Sequence, residues 1–185
     1  RGYGVHQSTE GGVAAAAAAA AALPGARSAV APPSCTYVSA IVTDTGLTIG
    51  WVGDSRAYWL DADGATALTV DDSPAAQLAT TGIPVPGVDP HSVALLRWLG
   101  ADAPDGPPHV VTVTPPGPGR LLLCSDGLSR YAKEPADLAV AAGGVAPPDT
   151  AALALTEFAL DRGGRDNITV AVLPFPPPAT TPSGG

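Results

Sequence analysis

The stretch Gly119–Gly127, GRLLLCSDG, constrains the fold more than any other part of the chain. Five largely apolar residues, Leu121 to Ser125, lead straight into Asp126 and Gly127. An apolar run of this length, closed by turn-formers, reads as a buried strand. A carboxylate at the edge of a core is costly unless something positive meets it. A basic side chain, a helix N-terminus or a metal ion would each serve, so the tip of this strand is a place where charge must be gathered.

Two further aspartates share that context. Asp54 lies in WVGDSR and Asp166 in GGRDNITV, each beside an apolar run and a turn-former. Taken singly, such residues are ordinary turn or cap aspartates. Three of them at strand ends in one short chain suggest a cluster, because a sheet brings the ends of its strands together. Carboxylate oxygens are hard ligands, and no imidazole and no Cys-x-x-Cys pair is near them in sequence, so a metal here would be Mg²⁺ or Mn²⁺ before zinc. His6, His91 and His109 are isolated and form no zinc-type spacing. Ser55 and Ser125 lack the Gly-x-Ser-x-Gly elbow of a serine hydrolase. No glycine-rich loop followed by lysine is present to hold a nucleotide.

The remaining chain reads as alternating blocks. Ala14–Ala22 is strongly helix-prone and stops at Leu23-Pro24-Gly25, whereas residues 1–12 show no periodicity. Thr36–Thr43 and Leu47–Val52 form a hairpin pattern around Asp44-Thr45-Gly46, and Ala57–Leu60 continues it. Ser73-Pro74 starts a helix to Thr80, with serine as cap. Ser92–Leu99 reads as a short helix, Val110–Val113 and Arg120–Cys124 as strands, Ala136–Ala142 and Thr150–Leu160 as helices, and Ile168–Leu173 as the last strand. The class is α+β. At 185 residues, with 45% hydrophobic and 14% charged residues, the chain has room for one domain with a real core. Its net charge of −8 disfavours nucleic acid and anionic membrane as partners. Cys35 and Cys124 each sit in an apolar run and read as reduced, buried thiols of a cytoplasmic protein. The apolar run Val13–Leu23 is too short to span a bilayer and has no basic leader. The first residue is Arg1, not Met, which reads as a start inside a longer chain.

WVGDSRAYWL, LLLCSDGLSRY and GGRDNITVAVL, in this order, resemble three consecutive motifs of the metal-dependent protein phosphatase family, type 2C. SCTYVSAIV is similar to the strand before the first of them, with Cys35-Thr36 where many members have two hydroxyl residues. VDDSPAAQLATTG resembles the family's D-x-S segment, and DPHSVALLRWLGAD its later segment, in wording close to actinobacterial members. The resemblance covers roughly 34–173. It implies a β-sandwich of two antiparallel sheets flanked by helices, with a two-metal site at one end. Asp126 and Asp166 would be ligands of Mn²⁺ or Mg²⁺, and Asp54 would help to hold a weaker third metal. The implied reaction is hydrolysis of phosphoserine or phosphothreonine by a metal-activated water, without a covalent enzyme intermediate. Protein substrates phosphorylated by a cognate serine/threonine kinase, a role in bacterial signalling and a monomeric state go with it.

The departures qualify that picture. The family's first motifs supply a phosphate-binding arginine and an Asp-Gly whose carboxylate bridges both metals. Nothing in residues 1–33 resembles them, and no aspartate precedes Asp44. Arg130 stands where some members carry an acidic residue, which weakens the case for a third metal. The expected organisation is an Ala-rich helical segment over 1–33, a phosphatase-like domain over 34–173, N-terminally incomplete, and a Pro-rich tail over 174–185. By itself this chain is expected to be inactive and prone to aggregate. A non-catalytic, phosphatase-like regulatory or binding domain is the alternative.

Overall fold

In the computed structural model, residues 2–26, 30–80, 94–132, 134–144 and 146–178 are described. The order is α1 (Gly2–Ala21), β1 (Ser34–Cys35), β2 (Tyr37–Thr43), β3 (Gly46–Val52), β4 (Arg56–Asp61), β5 (Gly64–Ala67) and α2 (Pro74–Thr80). There follow β6 (Leu99–Gly100), β7 (His109–Val113), β8 (Gly119–Cys124), α3 (Asp126–Ser129), α4 (Pro135–Ala141), α5 (Pro148–Asp161) and β9 (Val170–Phe175). All pairings among the described strands are antiparallel: β2-β3-β7 in one sheet, β5-β4-β8-β9 in the other, and a short β1-β6 ribbon.

Side-chain alternation assigns each strand face. On β4, Ala57 and Trp59 point to the core shared by the two sheets, while Tyr58 and Leu60 join the helices α4 and α5. On β8, Leu121 and Leu123 face the sheet partner, and Leu122 and Cys124 face the helices. Both sides of the β4–β8 pair are therefore buried, which is why GRLLLC is a continuous apolar run rather than an alternating one. The layers stack as α1, the three-stranded sheet, the four-stranded sheet, then α3 to α5, the helix–sheet–sheet–helix sandwich expected from the sequence.

The helix α1 begins at Gly2, well before the helix-prone run Ala14–Ala22, although residues 1–12 show no periodicity in sequence. Its polar first half is helical because Thr9 and Val13 pack on β3 at Gly50. A Cβ on Gly50 would lie 2.6 Å from Thr9 Cγ2. Ser8 and Thr9 also donate their hydroxyls one turn back, to Gly4 O and Val5 O, so these polar side chains stay inside the helix.

The Ser92–Leu99 helix is a second correction. Residues 92 and 93 lie outside the described set, and 94–98 are irregular before β6. Their backbone bonds go elsewhere: Leu96 N donates to Asp72 O at 2.7 Å, and Leu99 pairs with Cys35. Tertiary pairing takes the donors that a helix would need. The third correction concerns the thiols. Both are free, but only Cys124 is buried; Cys35, on the ribbon, is exposed. The proline-bearing loop Ile83–Pro90 and residues 179–185 of the Pro-rich tail lie outside the described residues. Among the described residues no helix is long and apolar enough to cross a membrane.

Candidate functional site

The three aspartates emerge from adjacent strand ends. Asp54 follows β3 in the link to β4, Asp126 follows β8 as the first residue of α3, and Asp166 lies in the loop from α5 to β9. Since β4, β8 and β9 are neighbours, the motifs that carry these residues meet at one end of the sheet.

Four hydrogen bonds hold the Asp166 loop beside Asp126. Ser125 Oγ donates to Asn167 O and accepts from Thr169 N, both at 3.1 Å. Ser125 N donates to Thr169 O at 3.1 Å. Arg165 N donates to Tyr131 Oη at 2.9 Å. The glycine of the Asp-Gly pair serves the same approach: a Cβ on Gly127 would lie 2.2 Å from Asn167 O. The residue after Asp126 is glycine because another backbone passes there.

The Asp54 loop is pinned from the other side. Gly53 N donates to Asp72 Oδ2 at 2.8 Å. Asp72 is buried, and its second oxygen lies 2.8 Å from His109 Nε2, whose ring stacks on Trp51 with centroids 4.8 Å apart. Thr36 and Ser55 pair their hydroxyls at 2.9 Å across the same turn. Asp71 is engaged by Arg56, whose Nε and Nη2 reach its two oxygens at 2.8 and 2.7 Å. That paired arrangement raises the Arg56 pKa further, against the pull of burial. Asp71 and Asp72 therefore serve the scaffold.

Burial pushes the Asp54 carboxyl up, and the negative charges of Asp126 and Asp71 add to the shift. Asp126 and Asp166 meet a different group. Arg130 Nη2 donates to Asp126 Oδ2 and, at 3.0 Å, to Asp166 Oδ2. Its Nε donates to Asp126 O at 3.2 Å. The hydrogen bond that Arg130 donates to the Asp126 carboxylate is the main reason the Arg130 pKa is raised. The positive group at the end of the GRLLLC strand is thus a basic side chain, one of the three candidates the sequence admits. Position 130 is visible in the sequence as a departure from an acidic pattern. That its guanidinium turns back onto both aspartates is visible only in the fold.

The family model of protein phosphatase 2C matches residues 9–78. The match begins inside α1, upstream of Ser34, where the quoted motifs show no likeness. Among solved structures, the catalytic domain of the serine/threonine phosphatase PstP, in complex with two manganese ions, superposes with a TM-score of 0.73 at 26% identity. That alignment covers 91% of this chain and 70% of PstP. The fold of this chain is that of these phosphatases. The Mycobacterium tuberculosis phosphatase PstP/Ppp matches at 29% identity and TM-score 0.63, over 74% of this chain and 58% of its own. Stp1, a serine/threonine phosphatase from Staphylococcus aureus, matches at 28% identity and TM-score 0.65, over 74% of this chain and 54% of its own. The chain therefore spans less than two thirds of the length of two of these phosphatase 2C relatives. No curated protein matches it.

The donor set can be tested against the two manganese ions of PstP. A hard divalent ion takes about six oxygen ligands. Among the described residues no group of three or more His, Cys, Asp and Glu side chains is gathered closely enough to hold a metal. One oxygen of each of the two nearest carboxylates already faces Arg130 Nη2. As folded here, the Asp126–Asp166 end of the sheet does not fit a metal pair.

Proposed function

We propose that this chain carries the Asp126–Asp166 face of a metal-dependent serine/threonine protein phosphatase, acting on phosphoserine and phosphothreonine in protein substrates. The observation that carries the reading is the convergence of the three motif loops on one end of the β4–β8–β9 sheet, in a chain with the phosphatase 2C fold. Mn²⁺ or Mg²⁺ is the proposed cofactor of the whole catalytic domain, to which this chain would contribute Asp126 and Asp166, with Asp54 beside a weaker third position; by themselves these residues do not complete the site. Ser125, Gly127 and Tyr131 act as positioning residues, because they fix the Asp166 loop against the start of α3.

The chain of 185 residues alone is proposed to turn over little phosphopeptide, since it brings two carboxylates to a site that needs more. The test compares this chain with the product of the full reading frame on a phosphothreonine peptide, with Mn²⁺ or Mg²⁺ after chelation. Turnover by the full product should depend on metal and fall by several orders of magnitude in Asp126→Asn and Asp166→Asn, with a smaller loss in Asp54→Asn. Undiminished turnover in Asp126→Asn, or full activity in chelator, would overturn the reading. A second reading, a non-catalytic phosphatase-like binding domain, is favoured by one observation: a guanidinium already bridges the carboxylate pair. Metal-independent phosphopeptide binding without turnover, in both chains, would select it.

A further inference from the structure

We propose that Arg130 is a built-in counter-cation that competes with divalent metal for Asp126 and Asp166. The inference rests on reading these two carboxylates as the metal-facing pair, and it does not depend on turnover.

The geometry is specific. Asp126 opens α3 and Arg130 follows its last residue, one turn on, while Asp166 arrives from a loop fixed by Ser125 and Tyr131. One nitrogen, Nη2, donates to an oxygen of each carboxylate, and Nε anchors the fork to Asp126 O. Two negative charges therefore share one positive charge. A divalent ion binding this pair needs short contacts of about 2.0–2.2 Å to the same oxygens. The guanidinium and the ion cannot both sit between them, because their charges repel and they seek the same lone pairs. Metal entry requires breaking two charge-assisted hydrogen bonds. The Arg130 side chain is about one-third exposed, at 34%, so it has a path out into solvent. The exchange can thus happen without unfolding the loop. A surface ion pair of ordinary strength would offer metal little resistance, and the arrangement differs from that case by its shared donor and its backbone anchor.

The competition predicts a gain of function in metal binding. Mn²⁺ binding to the complete 185-residue chain should be measured by titration calorimetry and by the loss of the free aqueous Mn²⁺ paramagnetic signal. Arg130→Ala and Arg130→Gln should bind Mn²⁺ at least about tenfold more tightly than wild type. Arg130→Lys, which keeps the charge but loses the fork, should fall between them. Asp126→Asn placed in the Arg130→Gln background should abolish the gain, which assigns it to this site. Circular dichroism on each variant checks that the fold is kept, and the Gln and Lys variants carry the test if Arg130→Ala does not fold. Equal affinity of wild type and Arg130→Gln, or a gain that survives Asp126→Asn, would overturn the proposal. Absence of phosphatase activity in every variant would leave it standing and count only against the functional reading.

Discussion

Cys124 lies on the helix-facing side of β8, packed with Tyr58, Leu128 and Leu155, and burial pushes its thiol up to about 12. Cys35 sits on the exposed ribbon. A thiol is nucleophilic as its thiolate, so the two residues should react at very different rates. With a disulfide reagent at pH 8, one thiol per native chain should react within minutes and the second only in denaturant. Two fast thiols would contradict the burial of Cys124. The sign of the linkage follows. The unfolded thiol titrates near ~8.5, so the unfolded chain loses this proton first, and stability should decline with rising pH between that value and about 12. At this scale, sequence reading reached the aspartates because turn residues at strand ends are local signals. It missed the roles of Ser125, Asp72 and Arg130, since each acts on a group that is 37 or more positions away or through a side chain that folds back.

Among the elements, α4 shows how strand and helix depend on one another. Arg120 on β8 is buried and donates from Nη1 to Ala146 O at 2.8 Å and to Ala142 O at 3.4 Å, and from Nη2 to Gly144 O. It ties down the turn that follows α4, from the cap residue Ala142 to Ala146, whose carbonyls have no helical partner. Burial lowers its pKa, and its partners are carbonyl oxygens rather than carboxylates. Arg120→Ala should therefore cost about 2–4 kcal/mol in urea unfolding, the loss of charge-assisted bonds and the exposure of unpaired carbonyls. Arg120→Lys should recover part of that. A cost below about 0.5 kcal/mol would mean that water replaces the guanidinium. The elements themselves were largely legible. The strands β2, β3, β4, β7 and β8 fall where alternation or an apolar run predicts them, and Ser73 Oγ accepts from Ala76 N as its cap role requires. The first half of α1 was not legible, because its glycines and hydroxyls become helical only against Gly50 of β3.

For the whole molecule, the sheet edges decide solution behaviour. In the three-stranded sheet β2 is an outer strand of seven residues, with neither charge nor proline. In the other sheet the outer strand β9 carries Pro174, which has no amide hydrogen to offer. The other two outer strands, β7 and β5, have only five and four residues, so β2 is the longest edge without charge or proline, and such edges recruit other chains. Light scattering at rising concentration should reveal self-association, and Ser39→Lys should reduce it several-fold while leaving the unfolding midpoint nearly unchanged. Equal scattering from both proteins would move the contact elsewhere. The net charge of −8 opposes association, so added salt should promote it.

The pairing of β4 with β8 also sets a clock. β4 occupies the interior of its sheet, yet its partner begins at Gly119, far beyond Asp61 in the chain. At roughly 5–20 residues per second of synthesis, the nascent β4 waits roughly 3–12 s before β8 has been made. Throughout that interval Trp59 and Leu60, both buried in the finished protein, have no sheet partner on that side. The β2–β3 hairpin can close at once, because its register needs only Asp44 and Thr45 between the strands. Birth of this protein is therefore divided into a quick hairpin and a delayed sheet, and the tryptophan stays unmatched on that side until the GRLLLC strand leaves the ribosome.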